Sequence, residues 1–546
     1  MVIQPLSWDI IRDMKKLYIL LFAFIFLLGI FLRFYALGKI PGSLDWDEAS
    51  WGYNAYSILH TGRDEYGIKM PLSFKAFGDY KDPVYVYLDS LSIALFGLNS
   101  FAVRFPSALF GSLSIIFIFL FLYELFYKEK RRNLISFIGA LTFAISPWSI
   151  QFSRVAFEAT NGLFFVLFGI WLMFRGVRKD KKWQIILGSL SLVISAYTYH
   201  SEKLFSPLIF ICLIFYFRKY FLSFRVFLII LLLIFGIGNI FWVKDATTVA
   251  RGESVLFTSN QTPLLANVVK ETSFDLKRGD KLDTIFHNRR FVYASAYLNN
   301  YLSVFYPNWL FIRGDLQRHH APGMGILYLA SLPAILIGLF LTFDKYKKQT
   351  FIIISWLVLA PVAEALAGIP NAERALILLP VFIIFESLGL LFLIEKLKAK
   401  NLIIYLLFGI LCLFYVFNWT YYTNQYFYHT NTDYLEYWQG GYKQAIDFAA
   451  SNSMNKKIYF DKSIEQGYIF YLFYTKYDPK VYLKSGGSNI IWSKCFSISN
   501  AYFGKCSGIK KGDLYISRSV PNFPNKKIFS FNFLNNDPGV YVFEKE

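Results

Sequence analysis

Two acids stand side by side in Pro41-Gly42-Ser43-Leu44-Asp45-Trp46-Asp47-Glu48-Ala49, a few residues past the first long apolar block. A carboxylate here can take a proton from a hydroxyl as general base. The plainer alternative is structural, with Asp47 as an N-cap and Glu48 as a first-turn acid. Further on, Lys81 lies in Asp79-Tyr80-Lys81-Asp82-Pro83. It can hold a phosphate as a point charge or snorkel to headgroups. Arg104 opens another apolar block, as an anchor or an anion ligand. Arg154 and Glu158 are four apart. On one helix they would share a face, as a salt bridge or as a functional pair. His200, Glu202 and Lys203 sit between two apolar blocks, and Arg374 opens a later one after Pro370-Asn371-Ala372-Glu373. His319 and His320 are adjacent, with no acid at a ligand spacing beside them. No particular cofactor follows from these residues, and a divalent metal stays an open alternative.

The elements that must position these residues are membrane spans. The chain is 55% hydrophobic and 20% aromatic, against roughly 45–50% apolar in soluble domains. The excess falls in blocks long enough to cross a bilayer. Spans are expected at 17–37, 103–126, 134–150, 160–174, 183–200, 204–217, 226–243, 324–343, 351–368, 374–394 and 402–418, about eleven transmembrane helices. Leu17–Leu37 is too long for a cleavable signal and reads as the first span.

The formal net charge of +19 does not indicate nucleic-acid binding. The short segments Met1–Lys16, Lys128–Arg132, Arg175–Lys182, Arg218–Arg225, Asp344–Gln349 and Glu395–Lys400 hold 21 Lys+Arg against 6 Asp+Glu. All fall on one side of an alternating topology, which is the positive-inside signature. Gly38–Phe101, on the other side, holds eight acids and five bases. It should carry interfacial helices over Ala49–His60 and Pro83–Gly97. A second long outer loop is expected over 244–323.

An odd number of spans leaves residues 420–546 outside. There, Tyr442–Met454 and Gly467–Tyr474 read as helices. Lys457–Phe460, Lys527–Phe531 and Val540–Phe543 read as strands, giving a small α/β domain. The domain plan is therefore 1–419 in the membrane and 420–546 outside it. Cys495 and Cys506 can pair if that region meets an oxidising compartment; two free thiols are the other outcome. Cys212 and Cys412 lie in apolar spans as packing residues.

The order of these motifs resembles a known superfamily. It runs span, outer Asp-Glu, Lys-x-Pro, Arg-x-Pro-Ser-Ala-Leu-Phe-Gly into the second span, then outer Arg-x-x-x-Glu. Over residues 17–395 it is similar to the GT-C glycosyltransferases, which include protein O-mannosyltransferases and the lipid A aminoarabinose transferase. The resemblance implies a polyprenyl- or dolichyl-phosphate sugar donor and transfer of a hexose or pentose to a hydroxyl of a protein, lipid or glycan. It implies Asp47 as catalytic acid-base residue, with Glu48 and Glu158 as accompanying acids. It also implies Lys81 on the donor phosphate; Arg104, Arg154, Lys203 and Arg374, basic residues at the outer ends of spans, are expected as further phosphate ligands. Relatives often carry Lys-Pro-Pro, and some a metal-binding Glu before that Lys; this chain has Lys-Asp-Pro and Tyr80. The expected place is the cell membrane, with the active site on the extracytoplasmic side. A lipid-linked saccharide transporter or flippase is the alternative, although no internal repeat of the transporter kind is visible.

Overall fold

The computed structural model describes residues 8–221, 262–279, 287–454, 456–535 and 538–546. The first helix, α1 (Trp8–Phe34), leads into α2 (Trp46–Thr61), the hairpin β1 (Phe74–Ala76) and β2 (Asp79–Lys81), and α3 (Pro83–Phe96). There follow α4 (Ser100–Leu125), α5 (Arg132–Ile145), α6 (Pro147–Ser153), α7 (Ala159–Lys179), α8 (Lys182–Ala196) and α9 (His200–Tyr216).

Among the described residues, six helices are long and apolar enough to cross a membrane: Lys16–Phe34, Ser100–Leu125, Ala159–Lys179, Lys347–Ala367, Arg374–Ala399 and Leu402–Asp433. The pair α5 and α6, bent by 55°, makes a seventh if counted as one span. That is fewer than the expected eleven, for two reasons. The expected span 226–243 lies outside the described residues. Three others coincide with short helices, at α8, α9 and Leu329–Asp344. At 1.5 Å per residue, 15 residues rise only about 22 Å, short of a hydrocarbon core of roughly 30 Å.

The bundle closes through small residues. A Cβ placed on Gly389 would lie 1.9 Å from Ala334 O, and one on Gly338 would lie 1.8 Å from Phe385 O. The helices Leu332–Asp344 and Leu379–Lys396 therefore touch backbone to backbone. Gly389→Val should push them apart and lower the thermal midpoint in detergent by several degrees, while Gly409→Val, facing open space, should not. The helix Leu402–Asn424 turns Leu406, Leu407, Ile410, Leu413 and Phe417 outward. In water such a stripe would be costly; against acyl chains it is at home.

The C-terminal part is a six-stranded sheet in the order β4-β5-β3-β6-β8-β7. Its strands are β3 (Ile458–Phe460), β4 (Cys495–Ile498), β5 (Ala501–Gly504), β6 (Leu514–Ser517), β7 (Asn525–Phe531) and β8 (Val540–Lys545). β3 runs parallel to both β5 and β6, and its three residues are all buried, as a central strand requires. Gly467–Tyr474 is a helix at the expected residues, while Tyr442–Ser451 stops short of Met454. The short strands β4, β5 and β6 and the helix Pro479–Lys484 were not expected. Cys495 and Cys506 are disulfide-bonded.

This sheet shares a core with α2. Phe473 packs where a side chain on Gly52 would be, and the Tyr53 hydroxyl donates to Tyr477 O at 3.1 Å. Ser488 donates to the buried Glu65 carboxylate, which Asn54 also holds at 2.9 Å. Burial raises the Glu65 carboxyl to about 7. Removing residues 430–546 is therefore expected to uncover Trp51 and Tyr53 and to yield aggregated protein in size-exclusion chromatography, not a folded enzyme with altered acceptor choice.

Candidate active site

The first turn of α2 decides which acid faces the cavity. Asp45, not Asp47, is the N-cap. Its Oδ1 accepts from Glu48 N at 2.8 Å, and Glu48 Oε2 accepts from Asp45 N at 3.2 Å, a reciprocal capping box. Asp47 is left out of the cap, where the N-terminal dipole favours its charge. Its Oδ1 meets Lys81 Nζ at 3.3 Å. Lys81 ends β2, paired with Phe74 across the hairpin, and its ammonium lies 5.3 Å from the Trp51 ring centre.

Asp47 and Lys81 open onto a cavity of about 140 Å³. Phe157, Glu158, Leu316, Arg318, His319, Asn371 and Glu373 complete its lining. Arg318 reaches Asp45 Oδ2 at 2.6 Å and lies over the Trp46 ring. His319 Nδ1 and Asp315 Oδ2 are 2.7 Å apart, and Asp315 also accepts from Ala372 N at 2.8 Å. The polar loop before 323 and the turn at 371–373 are thereby tied together at the cavity wall.

Burial sets the electrostatics. It raises the Glu158 carboxyl to about 8, with Lys81 opposing and Glu373 adding to the rise. Burial also raises Glu373, against the pull of His319 and Lys81. Asp45 rises to about 7 for the same reason, partly offset by Arg318. The cavity thus holds two fixed cations, one ion-paired carboxylate and two acids, Glu158 and Glu373, whose burial favours the protonated form.

Three expected site residues are placed elsewhere. Arg104 is fully buried and spends all five N–H groups inside the protein. It donates to Glu48 Oε1 and Oε2, both at 2.8 Å, and to the carbonyls of Leu37, Pro41 and Ser43. It has no donor left for a phosphate. Glu48 is correspondingly a tie: besides Arg104 and the cap it accepts from Ala156 N at 2.9 Å. Arg154 does not share a helix face with Glu158, because the helix breaks between Ser153 and Ala159. Arg154 turns back to the last carbonyls of α1, at Leu32 and Arg33, and stacks on Tyr426 and Phe427.

Lys203 and Arg374 stand beside the cavity without lining it. Lys203 pairs with Asp82 at 2.9 Å, next to His200. Arg374 pairs with buried Glu364 at 2.8 Å, and its carbonyl accepts from Ser201. The lining residues Arg318 and Asn371 had no role in the sequence reading. The visible signal was only that charges cluster where the long loop and the late span begin. Among the described residues, no group of three or more His, Cys, Asp or Glu could hold a metal ion. Tyr80 stands before Lys81 without a carboxylate, so the residues present do not fit a metal.

Residues 80–242 match the family described as dolichyl-phosphate-mannose-protein mannosyltransferase. Over 101 residues the chain is 29% identical to the Bacillus subtilis (strain 168) protein named "Putative mannosyltransferase YkcB", covering 18% of this chain and only 13% of that protein. ArnT from Cupriavidus metallidurans in its apo state is 10% identical, with a TM-score of 0.54 over 97% of this chain and 98% of that one. The same protein bound to undecaprenyl phosphate is 12% identical, with a TM-score of 0.53 over 96% and 97%. The archaeal oligosaccharyltransferase AglB from Archaeoglobus fulgidus is 13% identical, with a TM-score of 0.47 over 86% of this chain. This chain spans 64% of AglB's length, under two thirds. At these identities the likeness to ArnT concerns the fold. The transporter alternative finds no support among them. Residues 80–242 are thus similar to that mannosyltransferase family, and the chain as a whole is similar in fold to ArnT.

Proposed function

We propose that the protein moves a sugar from a polyprenyl- or dolichyl-phosphate carrier to a hydroxyl acceptor at the outer membrane surface. The observation that carries this reading is the Asp47–Lys81 pair, 3.3 Å apart, on a cavity that also holds Arg318 and Glu158. Asp47 removes the proton from the acceptor hydroxyl, whose oxygen attacks the anomeric carbon. The bond from that carbon to the phosphate oxygen breaks. Lys81 and Arg318 hold the charge that develops on the departing lipid phosphate. A single attack from the opposite face inverts the anomeric centre. Lys203 and Arg374 would assist from the second rank, as cations already held by Asp82 and Glu364. The proposed topology keeps about eleven spans, with residues 420–546 and the site outside the cell membrane.

The test is release of polyprenyl phosphate by the purified protein in lipid, given a panel of short-chain polyprenyl-phosphate sugars and hydroxyl acceptors. One donor should be consumed in step with acceptor, giving the inverted anomer. Retention of configuration in the product would overturn the single displacement.

The acids add a pH signature. Glu158 is protonated below about 8 in the folded chain. Above that pH a second negative charge appears beside the site of the donor phosphate. We expect kcat/KM for the donor to fall as pH rises through about 8, and Glu158→Gln to abolish that alkaline limb. The stability sign agrees. Glu158 is raised from 4.5, so the folded state binds a proton that the unfolded chain has lost. Its contribution is greatest below pH 4.5 and declines as pH rises through about 8. An alkaline limb unchanged in Glu158→Gln would assign it to another group.

A further inference from the structure

A second cavity, about 280 Å³, lies between the β1–β2 hairpin tip and the carboxyl ends of β3 and β5. Ligands of open α/β sheets sit in such a place, outside the ends of parallel strands. One wall is aromatic: Phe77 from the hairpin, with Phe496 and Phe503 from the sheet. Phe496 and Phe503 stack at 5.3 Å across β4 and β5, which the Cys495–Cys506 disulfide also joins. Phe77 and Phe496 are only half-buried, so part of each side chain is open to a ligand in the cavity they line. The other wall is the loop after β3, which presents exposed Lys462, Glu465 and Gln466. Asp461 fixes that loop, accepting from Ser463 Oγ at 2.6 Å and Tyr515 Oη at 2.7 Å. Gln466 sits at φ 52°, a left-handed conformation that costs energy for a residue with a Cβ.

We infer that this cavity binds a saccharide. A sugar ring has an apolar C–H face suited to Phe77 and Phe496, and a hydroxyl edge suited to an acid, an amide and an amine. The mixed signs of Lys462 and Glu465 do not favour a phosphate. A peptide would add along the backbone of an edge strand such as β4, whereas this cavity offers side-chain rings.

The place of the cavity links it to the reaction. Phe77 is at the turn of the hairpin whose last residue is Lys81, paired with Asp47. The three strand residues Asp79–Lys81 that separate the turn from the Asp47 pair span about 10 Å, a reach of about two sugar units. The saccharide in the cavity is therefore a part of the acceptor remote from its reacting hydroxyl, and the acceptor is a glycan or glycoconjugate. This last step rests on the transferase reading; the saccharide site itself does not.

The experiment is saturation-transfer NMR on the full chain in lipid nanodiscs. The probes are free mannose, glucose, galactose and N-acetylglucosamine and their homodisaccharides, with unglycosylated Ser/Thr peptides alongside. A saccharide should bind, and Phe496→Ser should weaken it about tenfold. Gln466→Gly removes a rim side chain while suiting the left-handed backbone, so the fold should hold and saccharide affinity should still fall. Asp47→Asn should leave binding intact. Binding to peptides alone, no saccharide binding, or saccharide affinity unchanged in both variants would overturn the proposal. Saccharide binding without transfer from any donor would leave this site standing and defeat the transferase reading instead.

Discussion

Arg104→Ala is expected to destabilise the protein by about 3–5 kcal/mol, the cost of leaving a buried carboxylate without its partner. Glu48 is fully buried, and Arg104 is the guanidinium on both of its oxygens. The change also frees the carbonyls of Leu37, Pro41 and Ser43, which lie in the turn between α1 and α2. That turn presents Asp45 and Asp47, so the loss should propagate to the site. Thermal unfolding in detergent separates two accounts of Arg104. As a tie between α2, α4 and the turn before α7, its loss lowers the midpoint sharply. As a phosphate ligand, its loss would spare the midpoint and raise only the KM for donor. The structure predicts the first. Glu48→Gln keeps the shape but removes the charge, so it should be milder than Glu48→Ala, which also strips the cap from Asp45 N and Ala156 N.

Asp47→Asn is expected to cost 10²- to 10⁴-fold in turnover, roughly the range for a lost general base. Asn is nearly isosteric and Asp47 takes no part in the capping box, so the folding midpoint should stay within about a degree of the parent. Donor affinity should hold or rise, because a negative charge is removed beside the phosphate. Lys81→Met should do the reverse, raising the donor KM while it leaves a carboxylate in place. A fall in donor affinity for Asp47→Asn equal to the fall in turnover would mean that Asp47 binds and does not activate.

These two expectations show what local sequence can and cannot convey. Apolar blocks report helices, because burial in lipid needs length and composition alone. All but one of the expected spans therefore coincide with a described helix, and the remaining one falls outside the described residues. Proline reports a break: Pro147 bends the α5–α6 pair, a bend that single-span reading smoothed over. Asp47 and Lys81, which the structure pairs on one cavity, stand out in the sequence as candidates because each lies beside an aromatic-rich helix start. The partners of the guanidinium groups do not. An arginine at the outer end of a span looks the same whether it meets a phosphate or five acceptors within the chain. The acceptors of Arg104 come from segments 56 to 67 residues away, a separation that no local pattern encodes. Arg318 and Glu373 reach Asp47's cavity from still further along the chain, through the ties of Asp315 to His319 and Ala372. The strands β4, β5 and β6 are four residues each, too short to show alternation, and were missed for that reason.

The most direct test of the account separates binding from turnover at Asp47. Wild-type protein and Asp47→Asn are reconstituted in the same lipid, and donor binding and polyprenyl-phosphate release are measured side by side with the best donor of the panel. The account predicts equal or tighter donor binding by Asp47→Asn, with release reduced at least about a hundredfold. Release at the wild-type rate from a protein lacking the Asp47 carboxylate would contradict it.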